Sequence, residues 1–181
     1  MAAMLMGAWS LQSCDNEPTK EVWLDEFGQD SCYVQDWGML EVNRSVVHTP
    51  LTVNGVVYER GLGAHSISRL LYDLDGKAVS ISGLAGADDK NLFAGKLQFK
   101  ILGDKKELWK SGVMQKGDPV KEFNVNLKGV DKVLLLVEEC GDGIMYDHAD
   151  WLNVKITTRG DVKPVPAWAK PVAKEKYILT P

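Results

Sequence analysis

The fold of this chain is indicated most directly by residues 51–58, which read LTVNGVVY. Two short runs rich in β-branched residues flank Asn54-Gly55, and this dipeptide favours a type I′ hairpin turn because both central residues need positive φ. The hairpin is followed by residues 59–66, ERGLGAHS, which place Arg60 and His65 on either side of two glycines. We interpret this second stretch as too rich in glycine to continue a strand, and therefore as a loop that carries polar side chains.

Short strands separated by turns continue beyond the hairpin. Residues 68–74 and 78–83 predict two strands joined by a turn, and residues 97–101 alternate apolar and polar side chains as a half-buried strand does. Residues 133–137 are continuously apolar, which is typical of a strand covered on both faces, and residues 152–156 predict the last strand. About eight or nine strands with turns about every 8–12 residues predict an all-β protein, an antiparallel β-sandwich of the jelly-roll type.

Composition excludes several classes of function. The chain has 181 residues, which is room for one domain, and a net charge of −4. A nucleic-acid-binding protein needs a clustered excess of Lys and Arg, so the charge argues against that class. No run of about twenty apolar residues predicts a membrane span.

The two ends of the chain differ from its middle. Residues 1–13 are mostly apolar and precede Cys14, as in a bacterial lipoprotein signal, although the usual positive n-region is missing. We therefore expect residues 1–20 to be an export signal and tether, with a disordered terminus as the alternative. The protein would be periplasmic, anchored at the cell surface through a lipid on Cys14, or secreted.

The folded domain is expected at residues 21–160. Four of the seven prolines lie in residues 161–181, which predicts a semi-rigid linker that leads to a further domain.

The three cysteines do not form a recognisable framework. They are too few for a disulfide scaffold and lack the spacing of a zinc site. Cys32 and Cys140 either pair in an oxidising compartment or are free thiols.

No motif of a known catalytic class occurs. The chain lacks G-x-S-x-G, H-E-x-x-H and a phosphate-binding glycine loop, so we expect a domain that binds without catalysing. Hard oxygen ligands for a calcium ion are available, although their spacing is not diagnostic. The candidate calcium ligands are Asp88, Asp89, Asp142 and Asp147.

A second polar cluster, DHADW, occupies residues 147–151. Strand alternation places His148 and Asp150 on the same side as Leu152. Because we assign Leu152 to the core, both polar side chains are expected to point inward, where they must be paired or bind a ligand. The alternative is an internal network that joins them to Arg60.

Trp37 and His65 complete the set of candidate binding residues. A Trp beside a Gly at the end of a polar loop is either a flat wall for a ligand or a core residue. A neutral imidazole offers one donor and one acceptor, which suits a ligand hydroxyl, but His65 could equally bond the backbone of its own turn. For Arg60, we slightly favour an internal salt bridge over ligand binding.

The order of these pieces resembles the NPCBM family, the novel putative carbohydrate-binding module. The resemblance covers about residues 21–158. The pieces that carry it are DWG at 36–38, RGLGAH at 60–65, residues 83–89, LQFKI at 97–101 followed by Gly103-Asp104, LWKSGV at 108–113, and DHADW at 147–151.

The resemblance implies a galactose-binding-like jelly roll attached to a secreted bacterial glycoside hydrolase, often an α-galactosidase-like enzyme. It implies binding of terminal galactose-type glycans and, as in related jelly rolls, calcium. The residues it points to as ligand-binding are Trp37, His65 and His148, with Gln35, Arg60 and Asp147 in support. The alternative function is a structural sandwich that packs against the neighbouring enzyme domain and binds no sugar.

Overall fold

The computed structural model describes residues 17–30, 32–93, 95–160 and 165–166. This part of the chain forms fourteen strands and one short 3-10 helix, Leu24–Asp30. The strands are β1 (Thr19–Trp23), β2 (Cys32–Gln35), β3 (Glu41–Val42), β4 (Leu51–Val53), β5 (Val56–Tyr58), β6 (Gly61–His65), β7 (Ser68–Asp73), β8 (Ala78–Ala87), β9 (Leu97–Gly103), β10 (Lys106–Met114), β11 (Lys121–Asn126), β12 (Lys132–Glu139), β13 (His148–Arg159) and β14 (Val165–Pro166).

Two antiparallel sheets of six strands each form a sandwich. The first has the order β11-β8-β13-β6-β3, and β1 pairs with the far end of β13. The second has the order β10-β9-β12-β7-β14, and β2 pairs with the start of β7. The predicted antiparallel sandwich is confirmed.

The main core lies between the two sheets and is centred on Trp151. This side chain is fully buried in β13. Its ring makes edge-on contacts with Phe99 of the second sheet and Phe123 of the first, with centroid distances of 4.9 Å and 5.7 Å. A buried Trp contributes a large apolar area, and edge-on aromatic pairs add about 0.5–1.5 kcal/mol each. Trp151 therefore joins the two layers.

The predicted hairpin is confirmed and packs on the outer face of the first sheet. Asn54 and Gly55 have φ of 48° and 77°, as a type I′ turn requires. The hairpin buries Leu51 and Val53 against Leu152 in a cluster separate from the main core. Leu152 is buried as predicted, but in the hairpin cluster, since Ala149 and Trp151 face the main core and Leu152 faces the hairpin.

A β-bulge in β13 explains why strict alternation did not predict which side chains of this strand face the main core. Asn153 has a positive φ of 50°, and the pairing register between β13 and β8 shifts between Leu152 and Lys155. The shift returns Val154 to the main core face, so strict alternation fails across this point.

The glycine-rich stretch that we expected to be a loop is the strand β6. A Cβ on Gly63 would lie 2.3 Å from the Arg44 carbonyl oxygen, and one on Gly61 would lie 2.5 Å from the Trp151 carbonyl oxygen. The glycines are therefore present because other backbone approaches closely, and not because the chain turns.

The number and length of the strands also differ from the prediction. β8 continues to Ala87, beyond the predicted end at residue 83, and β13 begins at His148, before the predicted start at residue 152. The additional strands β2, β3 and β14 have four residues or fewer, which is too short for a periodic pattern to appear. Val165–Pro166 lies in the predicted linker but pairs with β7.

Several predictions concern the chain ends and the cysteines. Cys14 and most of residues 161–181 lie outside the described residues, and so does the side chain of Cys32. Cys140 is a free thiol whose pKa is raised, chiefly by burial. Within the part of the chain that the structure describes, no helix has the length and hydrophobicity needed to cross a membrane.

Candidate functional site

Three rings from different parts of the chain meet at one end of the first sheet. His65 ends β6 and His148 begins β13, and the two residues are direct partners in the antiparallel register. Trp37 lies in the turn after β2, with its ring stacked on His148 at 7° and tilted against His65, at centroid distances of 5.8 Å and 4.9 Å. The sheet register thus brings together side chains that are far apart in sequence.

Gln35 holds Trp37 and His65 in place. Its side-chain oxygen accepts a hydrogen bond from the His65 backbone N–H at 3.2 Å. Its side-chain nitrogen donates to the Trp37 carbonyl at 2.8 Å. Gln35 thus positions Trp37 and His65, while the expected contact of Gln35 with a ligand stays a prediction.

A backbone hydrogen bond fixes the protonation pattern of His65. Nδ1 lies 2.6 Å from the Ser66 carbonyl oxygen, and since a carbonyl only accepts, Nδ1 must carry the proton. Burial lowers the pKa of His65, which favours the neutral ring at neutral pH. The remaining nitrogen, Nε2, is then a hydrogen-bond acceptor.

The Asn91 side chain holds the backbone of His148 through two hydrogen bonds. The Asn91 side chain accepts a hydrogen bond from the His148 N–H at 2.9 Å and donates one to the His148 carbonyl at 3.1 Å. Burial and the neighbouring His65 lower the pKa of His148. Its Nδ1 is buried and has no hydrogen-bond partner among the described residues.

Asp147 precedes His148 in the chain and is buried. Its Oδ2 accepts a hydrogen bond from the Ser66 hydroxyl at 2.5 Å, while Oδ1 has no partner among the described residues. Burial raises the pKa of Asp147 to about 6, even though the Ser66 hydrogen bond acts in the opposite direction. Asp147 supports the site from within and does not line the pocket.

Arg60 is not part of this site. Its guanidinium makes a bidentate ion pair with Asp25, at 2.9 Å and 3.0 Å, and lies over the Trp23 ring. The internal salt bridge favoured from sequence is therefore present. The alternative prediction, a network that joins Arg60 to Asp150 or His148, was wrong, because the partner of Arg60 is Asp25.

The three rings line a pocket of about 570 Å³. Trp37 is 48% exposed, so it is a wall of the pocket and not a core residue. The rest of the lining comes mainly from two loops, after β8 and before β13, and is largely apolar. These other lining residues are Val47, Lys90, Leu92, Ile144, Met145 and Tyr146.

Sequence reasoning missed these six residues. A signal was present for part of the set, since Leu92-Phe93 and Ile144-Met145 place apolar side chains in loops, where polar residues are the norm. The pairing of the two loops, however, has no local pattern, and only the fold brings them together.

The candidate calcium ligands are spread over separate structural roles. Both carboxylate oxygens of Asp89 accept N–H groups of the Asn54-Gly55 turn, and those of Asp88 accept from Thr52 and Lys90. Across the described residues, no three His, Cys, Asp or Glu side chains come together as a metal site would require. The aspartates thus have separate hydrogen-bonding roles in this structure, and calcium binding stays a prediction.

The fold and the pocket define a β-sandwich binding module with an aromatic and imidazole site at one end of its sheets. Residues 20–157 match the model of the NPCBM/NEW2 domain. The chain belongs to this family of non-catalytic carbohydrate-binding modules, which occur in glycoside hydrolases.

Known relatives agree with this assignment. The chain is 29% identical over 130 residues to alpha-1,3-galactosidase B of Akkermansia muciniphila, a match that covers 70% of this chain and 16% of that enzyme. It is 29% identical over 154 residues to the putative endo-alpha-N-acetylgalactosaminidase of Renibacterium salmoninarum, covering 82% of this chain and 10% of that protein. The chain thus spans only a small fraction of these relatives.

A solved structure confirms the jelly-roll sandwich. The CBM51 of Clostridium perfringens GH95, in complex with methyl-galactose, is 25% identical and superposes with a TM-score of 0.68. The match covers 76% of this chain and 99% of that domain.

Proposed function

We propose that this chain binds terminal galactose-type glycans and targets an attached glycoside hydrolase to them. One observation carries the proposal: the half-exposed Trp37 ring borders a pocket that also contains two imidazoles of lowered pKa. A pyranose needs a flat apolar surface for its C–H face and hydrogen-bond partners for its hydroxyls, and this arrangement offers both.

The roles of the three rings follow from their chemistry. The Trp37 face packs against the apolar face of the sugar, and His65 Nε2 accepts a hydrogen bond from a hydroxyl. The His148 ring supplies a second polar edge beside Trp37. A monosaccharide buries little area, so affinity should be on the order of 0.1–1 mM per site, and attachment to an enzyme on a multivalent glycan raises it by avidity.

The relatives support galactose-type ligands. One is an alpha-1,3-galactosidase by name, and the other a putative endo-alpha-N-acetylgalactosaminidase. The C. perfringens module was solved with methyl-galactose.

The test is Trp37→Ala, measured by titration calorimetry or glycan array with galactose-terminated glycans. We expect at least a tenfold loss of affinity with an unchanged unfolding midpoint, because Trp37 is half exposed and lies outside the core. The control is Met39→Ala, an exposed apolar residue that does not line the pocket. If Trp37→Ala binds the glycan as tightly as Met39→Ala does, Trp37 does not contact the sugar.

A second candidate function is supported by the apolar lining. Leu92, Phe93 and Met145 are exposed at or beside the pocket, as they would be on a surface that packs against a neighbouring enzyme domain. Under this hypothesis the isolated module binds no glycan on the array. The catalytic domain of the same protein, added in trans, would instead protect these residues from solvent labelling.

Two further expectations belong to this proposal. Repeating the titration after chelation tests whether binding depends on calcium.

Export to the periplasm, cell surface or medium is supported by the apolar segment before Cys14, and intact-mass analysis of the mature protein would reveal a lipid on that cysteine.

A further inference from the structure

The histidines of the pocket form a cross-strand pair with the spacing of two ligands on one metal ion. His65 and His148 lie directly opposite each other on β6 and β13. Their ring centroids are 5.5 Å apart, and the ring planes are inclined at 54°. The sheet register holds side chains of directly opposite residues close together, so no loop has to move to bring the two rings to one ion.

The separation of the two rings agrees with coordination of a single ion. A Zn–N bond of about 2.0–2.1 Å places the centre of a coordinated imidazole about 3.2 Å from the ion. Two imidazoles at a tetrahedral angle then have centroids about 5.2 Å apart, and an angle of about 120° gives about 5.5 Å. The observed distance between the centroids of His65 and His148 is 5.5 Å.

His65 has one nitrogen free for a bond to a metal ion. Its Nδ1 donates to the Ser66 carbonyl, so Nε2 keeps its lone pair. Histidines that bind metal ions commonly donate their other ring N–H to a carbonyl or carboxylate, which fixes the tautomer and orients the ring. The Ser66 carbonyl makes this contact with His65.

The ring of His148 has no competing hydrogen bond. Among the described residues, the hydrogen bonds of His148 are made by its backbone N–H and carbonyl, and its buried Nδ1 has no partner. Burial lowers the pKa of both histidines, so both rings are neutral at neutral pH. The neutral ring is the form in which imidazole binds a metal ion.

The chemistry of the pair favours a transition-metal ion. Calcium and magnesium take oxygen ligands, whereas imidazole nitrogen suits zinc, copper and nickel. No third His, Cys, Asp or Glu joins the pair within the described part of the chain, so water fills the other coordination positions. With two protein ligands, fewer than the three or four of a zinc enzyme or a structural zinc site, we expect binding to be reversible.

We propose that His65 and His148 together bind one divalent transition-metal ion, and that this ion and the sugar compete for the pocket. The two ligands compete because His65 Nε2 has a single lone pair, which either binds the ion or accepts a hydrogen bond from a hydroxyl. The competition rests on the proposed sugar-binding function, whereas metal binding itself does not.

The first test is a titration of the whole chain with zinc chloride, followed by calorimetry and by the NMR signals of the histidine rings. We expect one ion per chain, with shifted signals for His65 and His148. His65→Gln and His148→Gln should each weaken zinc binding at least tenfold, because a single imidazole is left. Zinc binding that is unchanged in both variants overturns the site.

The matched control is His48→Gln, which alters an exposed histidine outside the pocket that lies 3.3 Å from Glu41. Its zinc affinity should equal that of the wild type. A loss of zinc binding in this variant would assign the ion to His48 and Glu41, and would contradict the proposal.

Trp37 provides a measurement on the unaltered histidines. Its ring centroid lies 4.9 Å from that of His65 and 5.8 Å from that of His148, so a Cu²⁺ ion held by both should quench its fluorescence. The quenched component should be missing in Trp37→Phe. Equal quenching of the wild type and of this variant would place the ion elsewhere.

Competition is measured by titrating methyl galactoside with and without saturating zinc. We expect the dissociation constant of the sugar to rise at least tenfold with zinc and to recover when zinc is removed. An unchanged sugar affinity with zinc bound overturns the competition. If the zinc-free protein binds no methyl galactoside, the proposed function fails and the competition with it, whereas the zinc titration alone decides the metal site.

Discussion

His65 and His148 are buried, and each ring has a nitrogen that can take up a proton. Burial lowers the pKa of both, so each is neutral at neutral pH and takes a proton only at a pH below about 6.5, the ordinary value. Protonation converts His65 Nε2 from acceptor to donor and creates two cations whose ring centroids are 5.5 Å apart. The binding site therefore depends on both rings remaining neutral.

We predict that galactose affinity is constant above about pH 7 and falls at least tenfold as the pH is lowered through the depressed pKa values. Titration calorimetry from pH 8 to pH 4.5 measures this. The control is His48→Gln, which alters an exposed histidine outside the pocket and should leave the profile unchanged. A flat profile would contradict a role for the neutral imidazoles.

Affinity is a better readout here than stability, because Asp147 acts on stability in the opposite direction. Its pKa is raised from 3.8 to about 6, so the folded state takes this proton first and gains stability as the pH falls between these values. The histidines have lowered folded pKa values, so the unfolded state takes their protons first. Their contribution is present above about pH 6.5 and is lost as the pH falls towards the folded values.

At the scale of elements, the loop after β8 is attached to the start of β13 through one side chain. Asn91 is fully buried and hydrogen-bonds both backbone groups of His148, and its own N–H donates to the Asp88 carbonyl. The loop is thus fixed to the strand end from which His148 enters the pocket.

We predict that Asn91→Ala lowers the free energy of unfolding by about 1–3 kcal/mol, because the buried His148 N–H loses its acceptor. It should also weaken galactose binding, since His148 is no longer held beside Trp37. Denaturant unfolding and titration measure the two effects. Asn124→Ala, on the exposed side of β11, is the matched control and should change neither quantity.

At the scale of the whole molecule, the first strand completes the first sheet. β1 pairs residue by residue with the end of β13, from Thr19 opposite Arg159 to Trp23 opposite Lys155. β6 pairs with the opposite end of the same strand. β1 and β6 therefore cover one long edge of β13 between them, and the site lies at the end that β6 covers.

We predict that a chain starting at Leu24 is destabilised by at least about 2 kcal/mol, or roughly 4–8 °C in Tm, because burial of Val22 and the β1 ladder are lost. Calorimetry measures the shift. A chain starting at Glu17 keeps β1 and should keep the original Tm. Galactose affinity well below the Tm should change little in either chain, because β1 pairs with the end of β13 opposite His148.

Local patterns determined the fold class and the best-defined turn. The Asn54-Gly55 hairpin, the alternating strand predicted at 97–101 and the doubly covered strand predicted at 133–137 follow from preferences that act over a few residues, and all three are present. The residue types of Trp37, His65 and His148 left both a binding and a structural role open, and it was the resemblance to the NPCBM family that pointed to them as ligand-binding residues.

Only the tertiary structure decided which of these residues meet and what each one does. Gly61 and Gly63 looked like a loop, and their strand conformation is explained by backbone that comes from elsewhere in the chain. Arg60 has its partner 35 residues away, and Leu92 and Met145 line the same pocket only because the fold brings two distant loops together. Contacts between distant segments are set by sheet register and loop packing, and these leave no periodic trace in the sequence.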